Sequence, residues 1–551
     1  MRHQPARGFR MAAFALALAV SVSLTAPVAH AAEPAPAPRV HSQQYRPSQP
    51  GGGVGVAGTF ELDADYDVLK YVYSFTNDAG FLDKEVLADA DGKATIQWTP
   101  RVSGQHQIFV SAVTPEGYSQ VPSYEFYVLA GGHPAAHWGL DGTLTDSNGA
   151  NALTSHGNPD LASVGYSGRG AALGDPQDHL SGPVLADTSK NFSLSAWVKV
   201  DDGSADRAVV ATADGTAFSA GLYFDAAVGR WAFGMTTADR TAVRVAHSQA
   251  PAETGVWTHL AGTYEVTTKI LSLYVDGVGQ GQVTGVEGWQ ASQLLVGRHR
   301  YNGVEVGGAP GAVDEVKVYA RTVNEAEVKK LAGQVGLRAH HRFNEGTGGG
   351  TRDEVTGAFA PLSGKTGWEL DRDDTSLRFN GPDEAGQEQD GEAYVSGSAP
   401  GIRTDRSFSI SAWARLDTAT HEDGDRTVVS LVHNGTSLLD LRYGGTSKTW
   451  EFVVGGTTVE TRYGVDLQEW TYLTAVHDKA NAEVRLYFSG VYVTKVPFTS
   501  GGSAQTGAVL EFGRLSPGTA AGSFWKGGID DVRVYTGVLS QEQILAQAVR
   551  T

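Results

Sequence analysis

The sequence predicts an all-β chain: one small sandwich followed by two copies of a larger one. Three observations carry this. Period-two alternation of apolar and polar residues recurs along most of the chain between Gly, Asp and Asn turns. A set of five motifs appears twice, in the same order, at a nearly constant spacing of about 216 residues. Helical periodicity is confined to two short segments, one at the end of each copy.

The chain has 551 residues, of which 41% are hydrophobic and 19% charged, so each domain can bury a core. It has no Cys, which excludes disulfides, thiolate zinc sites, iron–sulfur clusters and cysteine nucleophiles. Its net charge of −18 argues against a nucleic-acid-tracking surface, which needs clustered Lys and Arg.

Residues 1–31 read as a secretory signal peptide. Arg2, Arg7 and Arg10 precede an apolar run from Met11 to about Leu24, and Ala29-His30-Ala31 is the cleavage motif. The run is too short to span a bilayer comfortably. Cleavage removes three Arg and no acid, so the mature chain is still more acidic. No later run approaches 18 apolar residues. The mature protein is expected outside the cell, with no membrane association and no nucleic-acid partner. Residues 32–53 alternate Pro and end in Gly51-Gly52-Gly53, an extended linker.

Residues 54–130 contain short strands around Tyr71–Phe75, Ala94–Trp98, Gln107–Val113 and Tyr124–Val128, which suggest a small β-sandwich. With Gly58-Thr59-Phe60, Trp98-Thr99-Pro100 and the closing Tyr124-x-Phe-Tyr-Val128, this module resembles the immunoglobulin-like or fibronectin-like spacers of actinobacterial exoproteins.

The repeat follows. Phe192-Ser-Leu-Ser-Ala-Trp197 returns as Phe408-Ser-Ile-Ser-Ala-Trp413, and Trp257-Thr-His-Leu-Ala as Trp470-Thr-Tyr-Leu-Thr. Leu273-Tyr-Val-Asp-Gly277 returns as Leu486-Tyr-Phe-Ser-Gly490, and Gly297-Arg298 as Gly513-Arg514. Val313-Asp314-Glu-Val-Lys-Val-Tyr319 returns as Ile529-Asp530-Asp-Val-Arg-Val-Tyr535. Each copy ends in a short helix, with Asn324 or Ser540 as N-cap. As a set, these motifs resemble the laminin-G-like, concanavalin A-like lectin/glucanase jelly roll. The resemblance spans 131–333 and 334–551. It implies two stacked antiparallel sheets per copy and a non-catalytic role in binding glycans or proteins outside the cell.

The repeated Trp197/Trp413, Trp257/Trp470 and Trp231/Trp450 are expected to be core aromatics between the sheets, because two copies need the same packing. Unrepeated aromatics in loop-like sequence are the candidate ligand contacts: Trp289, Tyr301, Trp368 and Trp525. The first and last strands of this topology are neighbours. Asp141 with Asp314, and Asn344 with Asp530, are therefore candidates for a shared calcium ion. The alternative is that the aspartates accept backbone N–H bonds at a turn and need no metal. Only the second copy carries the acidic insertion Asp383, Glu384, Glu388, Asp390 and Glu392, so the copies need not bind the same ligand.

Local catalytic motifs fail. Asp63-x-Asp65-x-Asp67 lacks the Gly and Glu of an EF-hand, and Gly364-Lys365-Thr366 lacks the first Gly of a phosphate loop. His421-Glu422 lacks the second His of a zinc-protease helix, and no G-x-S-x-G occurs. Neither last strand carries the Glu-x-Asp-x-x-Glu array that aims an acid and a nucleophile into one cleft. The sequence reads first as a secreted, non-enzymatic tandem binding an extracellular polysaccharide or surface glycoprotein. A polysaccharide-degrading enzyme on the same fold and a purely structural cell-wall scaffold are the alternatives.

Overall fold

The structure is a computed structural model. It describes residues 33–549 except 77, 79, 123, 302–303, 307–310, 372–373, 381–391, 398–399, 419–423, 500–506 and 516–522. The signal-peptide reading and most of the acidic insertion lie outside the described residues. No described helix is long and apolar enough to cross a membrane.

The chain divides into two compact units. Of the described residues, one comprises 33–41, 61–96 and 107–124, and the other 42–60, 97–106 and 125–549. In the first, strand Lys70–Phe75 pairs antiparallel with Lys84–Leu87 on one side and with residues 108–113 on the other. In the second, Tyr45, Phe60, Trp98 and Phe126 pack as an aromatic cluster, with ring centroids 5.3 to 6.2 Å apart.

Both jelly rolls belong to the larger unit. In the first copy one sheet runs Asp160–Val164, Arg169–Leu173, Gly311–Tyr319, Phe192–Val200, Thr258–Glu265, Ile270–Val275, Val278–Val283, with Ala136–Trp138 also on Gly311–Tyr319. The facing sheet runs Thr154–His156, His179–Pro183, Gln293–Val296, Arg207–Ala213, Phe218–Asp225, Arg230–Thr236, Val243–His247. The second copy repeats this order, with one further strand, Gly350–Arg352, at the edge of the facing sheet. Gly527–Thr536 takes the place of Gly311–Tyr319, and Gly336–His341 that of Ala136–Trp138. Alternation turns one face of each strand inward. Leu194, Leu222, Phe233 and Val316 lie in one core, and Ile410, Leu441, Phe452 and Val532 in the other.

Even the irregular backbone repeats. Leu140 and Phe343 have φ of +55° and +57°, and Glu315 and Asp531 have +53° and +49°. The last two sit where the final strand slips register against Phe192–Val200 and Phe408–Leu416, a bulge in each copy. Helices Glu325–Ala332 and Gln541–Ala548 both start with a capping box, on Asn324 and Ser540.

Trp231 and Trp450 are core aromatics as expected. Trp197 and Trp413 are buried but stand outside the inter-sheet space. Trp413 packs with Tyr472 and Ile544 under the C-terminal helix, and Trp197 is covered by Tyr166. Trp257 and Trp470 are only half-buried. Strand alternation puts a Trp on one face or the other, and here it faces outward, where a helix or loop covers it.

Candidate functional site

The four candidate aromatics go to different places. Trp289 lies between strands at the rim of the first copy, half-buried. Its Nε1 donates to the Thr236 carbonyl at 3.2 Å, and the Arg240 guanidinium lies 4.3 Å from its ring centroid. Tyr301 ends the hairpin strand His299–Tyr301, paired with Val304; its side chain lies outside the described residues. Trp368 is in an edge strand, Thr366–Asp371, rather than a loop. It is half-buried, packs partly on the core, and donates from Nε1 to Gly348 at 2.9 Å. Trp525 is a core residue, which corrects its reading as a ligand contact. It is fully buried, stacks on Trp450 with centroids 5.9 Å apart, and donates from Nε1 to Gly528 at 3.2 Å. No face of that ring reaches solvent.

Asp314 and Asp141 are held by backbone N–H groups within the fold. Asp314 is fully buried, and its two oxygens accept N–H bonds from Ser167 at 3.0 Å and Glu315 at 2.7 Å. Burial, with the nearby carboxylates of Glu315 and Asp141, pushes its carboxyl up to about 8. Asp141 lies past the end of Ala136–Trp138 and accepts from the Arg169 N–H at 2.8 Å. Asn344 is exposed beyond the end of Gly336–His341, whereas Asp530 is buried within the last strand. Among the described residues, no three His, Asp or Glu could share a metal ion.

The structure assembles a different group of side chains, on the outer face of one sheet in the second copy. Strand register aligns Ser396, Glu511, Ser430 and Asp440 in one row. Their neighbours Leu510, Phe512, Leu431, Leu439 and Leu441 point the other way, into the core. Arg442 and Glu451 pair in the next row. Glu511 is forked to Arg514, with Nε and Nη2 both at 2.6 Å. The same guanidinium lies 3.4 Å from the Tyr394 ring centroid. Arg442 bonds Glu451 through Nε at 2.9 Å and Asp425 through Nη1 at 2.8 Å. Asp440 is 3% exposed, with Arg442 Nη1 3.5 Å away. Burial pushes its carboxyl up to about 7 against the pull of Arg442. Tyr394, Ser396, Arg442 and Arg514 are half-buried and form the accessible part of the group.

The corresponding row of the first copy is Ser181, Leu295, Ala211, Gly221 and Gly234. Apart from Ser181 it carries no polar side chain, and Ala211 and Leu295 belong to a buried cluster with Ala213 and Phe218. The hairpin formed by His299–Tyr301 and Val304–Val306 lies against this sheet, and His299 stacks on Phe218 with centroids 5.0 Å apart. The two copies share a fold and differ in this face. Sequence reading missed the charged row because its residues come from separate strands with no local motif. Gly513-Arg514 was the one visible signal.

A family model for the concanavalin A-like lectin/glucanases superfamily, the Laminin_G_3 model, matches residues 174–329 and 389–545, more than half of the chain. The chain belongs to this superfamily. No curated protein matches it. Among solved structures, domain 4 of AbnA, a GH43 extracellular arabinanase from Geobacillus stearothermophilus in complex with arabinotriose, is 16% identical. That match covers 39% of this chain and 100% of the other, with a TM-score of 0.31. Domains LG4-5 of the mouse laminin alpha1 chain are 14% identical, with 67% and 89% covered and a TM-score of 0.24. The ligand binding domain of botulinum neurotoxin serotype D, in complex with N-acetylneuraminic acid, is 11% identical, with 70% and 92% covered and a TM-score of 0.32. The fold assignment rests on the family match and the strand order, not on these three likenesses.

Proposed function

We propose that this superfamily member is a secreted, non-catalytic glycan-binding protein whose second jelly roll contacts the ligand through Tyr394, Ser396, Arg442 and Arg514, with Glu511 holding Arg514 in place. The observation that carries this reading is the Tyr394–Arg514–Glu511 stack. An aromatic ring, a planar donor fork and a carboxylate stand side by side on a rigid sheet. Sugar rings have apolar faces and paired hydroxyls, and this set offers a partner to each. Mutual ion pairing holds the side chains in place before ligand arrives, which lowers the ordering cost of binding. The same pairing argues for binding over hydrolysis, since Glu511 and Glu451 are each engaged by a guanidinium. Calcium has no part in this reading.

The test is a glycan and polysaccharide array probed with residues 32–551, with and without chelator. Binding to one glycan class in both conditions is expected, and Tyr394→Ala should weaken it about tenfold or more. Binding unaffected by Tyr394→Ala would remove the site from this face. Silence across the array would remove the glycan reading itself.

A further inference from the structure

Three connections meet at one end of the first jelly roll: the turn 214–217, the turn 237–242 and the segment 284–292. The strands of one sheet that they lead into are neighbours, which sets the three side by side. Trp289 is pinned there from several directions. Its main-chain carbonyl accepts from the Thr188 hydroxyl at 2.6 Å and the Ser219 hydroxyl at 2.7 Å, while its Nε1 donates to the Thr236 carbonyl. Arg240 reaches over the ring from a left-handed backbone, with φ +61°. Its Nη1 pairs with Asp214 Oδ2 at 2.7 Å and donates to the Thr216 hydroxyl at 3.0 Å. Asp214 is fixed in turn, since its Oδ1 accepts the backbone N–H groups of Thr216 at 2.8 Å and Ala217 at 3.1 Å.

The guanidinium is thus held on one side and open on the other. Among the described residues nothing bonds its Nε or Nη2, and the side chain is 43% exposed. These two N–H groups lie on one edge of a planar group, at the spacing of the two oxygens of a carboxylate. Arg442 and Arg514 in the second copy spend the same edge on Glu451 and Glu511.

We propose that Arg240 and Trp289 form a second ligand site, which takes a uronic acid unit of an acidic polysaccharide. The uronate carboxylate accepts from Nε and Nη2, and the attached sugar ring lies against the exposed part of the indole. Because Asp214, Thr216 and Trp289 already hold the guanidinium, binding costs little side-chain freedom. Arg300 donates from Nη1 to the Gly215 carbonyl at 3.3 Å, so a second positive charge stands at this turn and offsets Asp214. The second copy lacks the site. Its turn between Thr449–Val454 and Thr457–Gly464 is Gly455-Gly456, with no side chain to stack on a ring. The group is separate from Tyr394 and its neighbours, so either site can fail alone.

Surface plasmon resonance of the purified chain over immobilised polygalacturonate tests the proposal. At physiological ionic strength charges are screened beyond about 8 Å, so the chain's net charge of −18 does not keep the polyanion away. The wild type should bind the acid and not its full methyl ester. Arg240→Lys keeps the charge and loses the fork, so it should raise Kd about tenfold while Tm stays unchanged. Equal binding to acid and ester, equal binding by wild type and Arg240→Lys, or no binding to the acid would each overturn the proposal. Binding to poly-L-glutamate as tight as to polygalacturonate would overturn the uronate assignment, because the site would then take any carboxylate chain.

Discussion

Tyr166 lies flat on Trp197, with ring centroids 3.4 Å apart and planes 7° from parallel, while its hydroxyl donates to the Gln334 carbonyl. That hydroxyl bond joins the first jelly roll to the segment that opens the second. Arg338 completes the junction. It donates from Nη1 to the carbonyls of Gly165 and Tyr166, and from Nε to that of Pro400 at 3.0 Å.

Because Arg338 is buried at this junction, Arg338→Ala should leave three carbonyls short of a donor. The expected cost is about 3 kcal/mol. Calorimetry should show one transition for the wild type and two for the variant, as the jelly rolls uncouple. One transition at an unchanged Tm would show that the pairing of the copies does not depend on Arg338.

The two tryptophans once equal as candidates should behave differently. Trp525 fills the second core, so Trp525→Ala should cost about 3–5 kcal/mol in a denaturant titration. Trp289 is half-buried under Arg240, so Trp289→Ala should cost about 1 kcal/mol. Equal losses would contradict these placements.

Stability should peak near pH 6.5. Burial lowers His259 to about 3 and His299 and His341 to about 4. Unfolded histidine takes up protons below about 6.5, which favours the unfolded chain, so stability falls as pH drops from there. Burial raises Asp314 to about 8 and Asp440 to about 7. An unfolded aspartate ionises above about 3.9, so these two remove stability as pH rises towards 7–8. Below about 6.5 the three histidines outweigh the two aspartates, and above it only the aspartates act. Asp440→Asn should flatten the alkaline side of a Tm-against-pH curve. An unchanged slope would show that Asp440 is ionised in the folded protein.

Millimolar calcium should leave Tm where chelator leaves it. A native-state ligand must raise Tm by mass action, and the Asp314 oxygens are already engaged by N–H donors. A calcium-dependent rise of several degrees would overturn the geometry described for Asp141 and Asp314.

The sequence by itself determined the two jelly rolls and their closing helices. Period-two alternation and capping are local properties, and the Trp197/Trp413 and Asp314/Asp530 motifs repeat them in order. Tertiary structure decided which side chains meet. Trp525, in Gly-rich sequence that reads as a loop, is drawn into the core because Trp450 and the facing sheet offer it apolar contact. Glu511, Ser430 and Asp440 come from three strands, and only strand register sets them side by side. Glu315, Lys317 and Gln334 meet because a bulge turns one strand and the junction after a helix returns to it. Local periodicity fixes which face a residue occupies, and the long-range pairing of strands fixes its neighbours there.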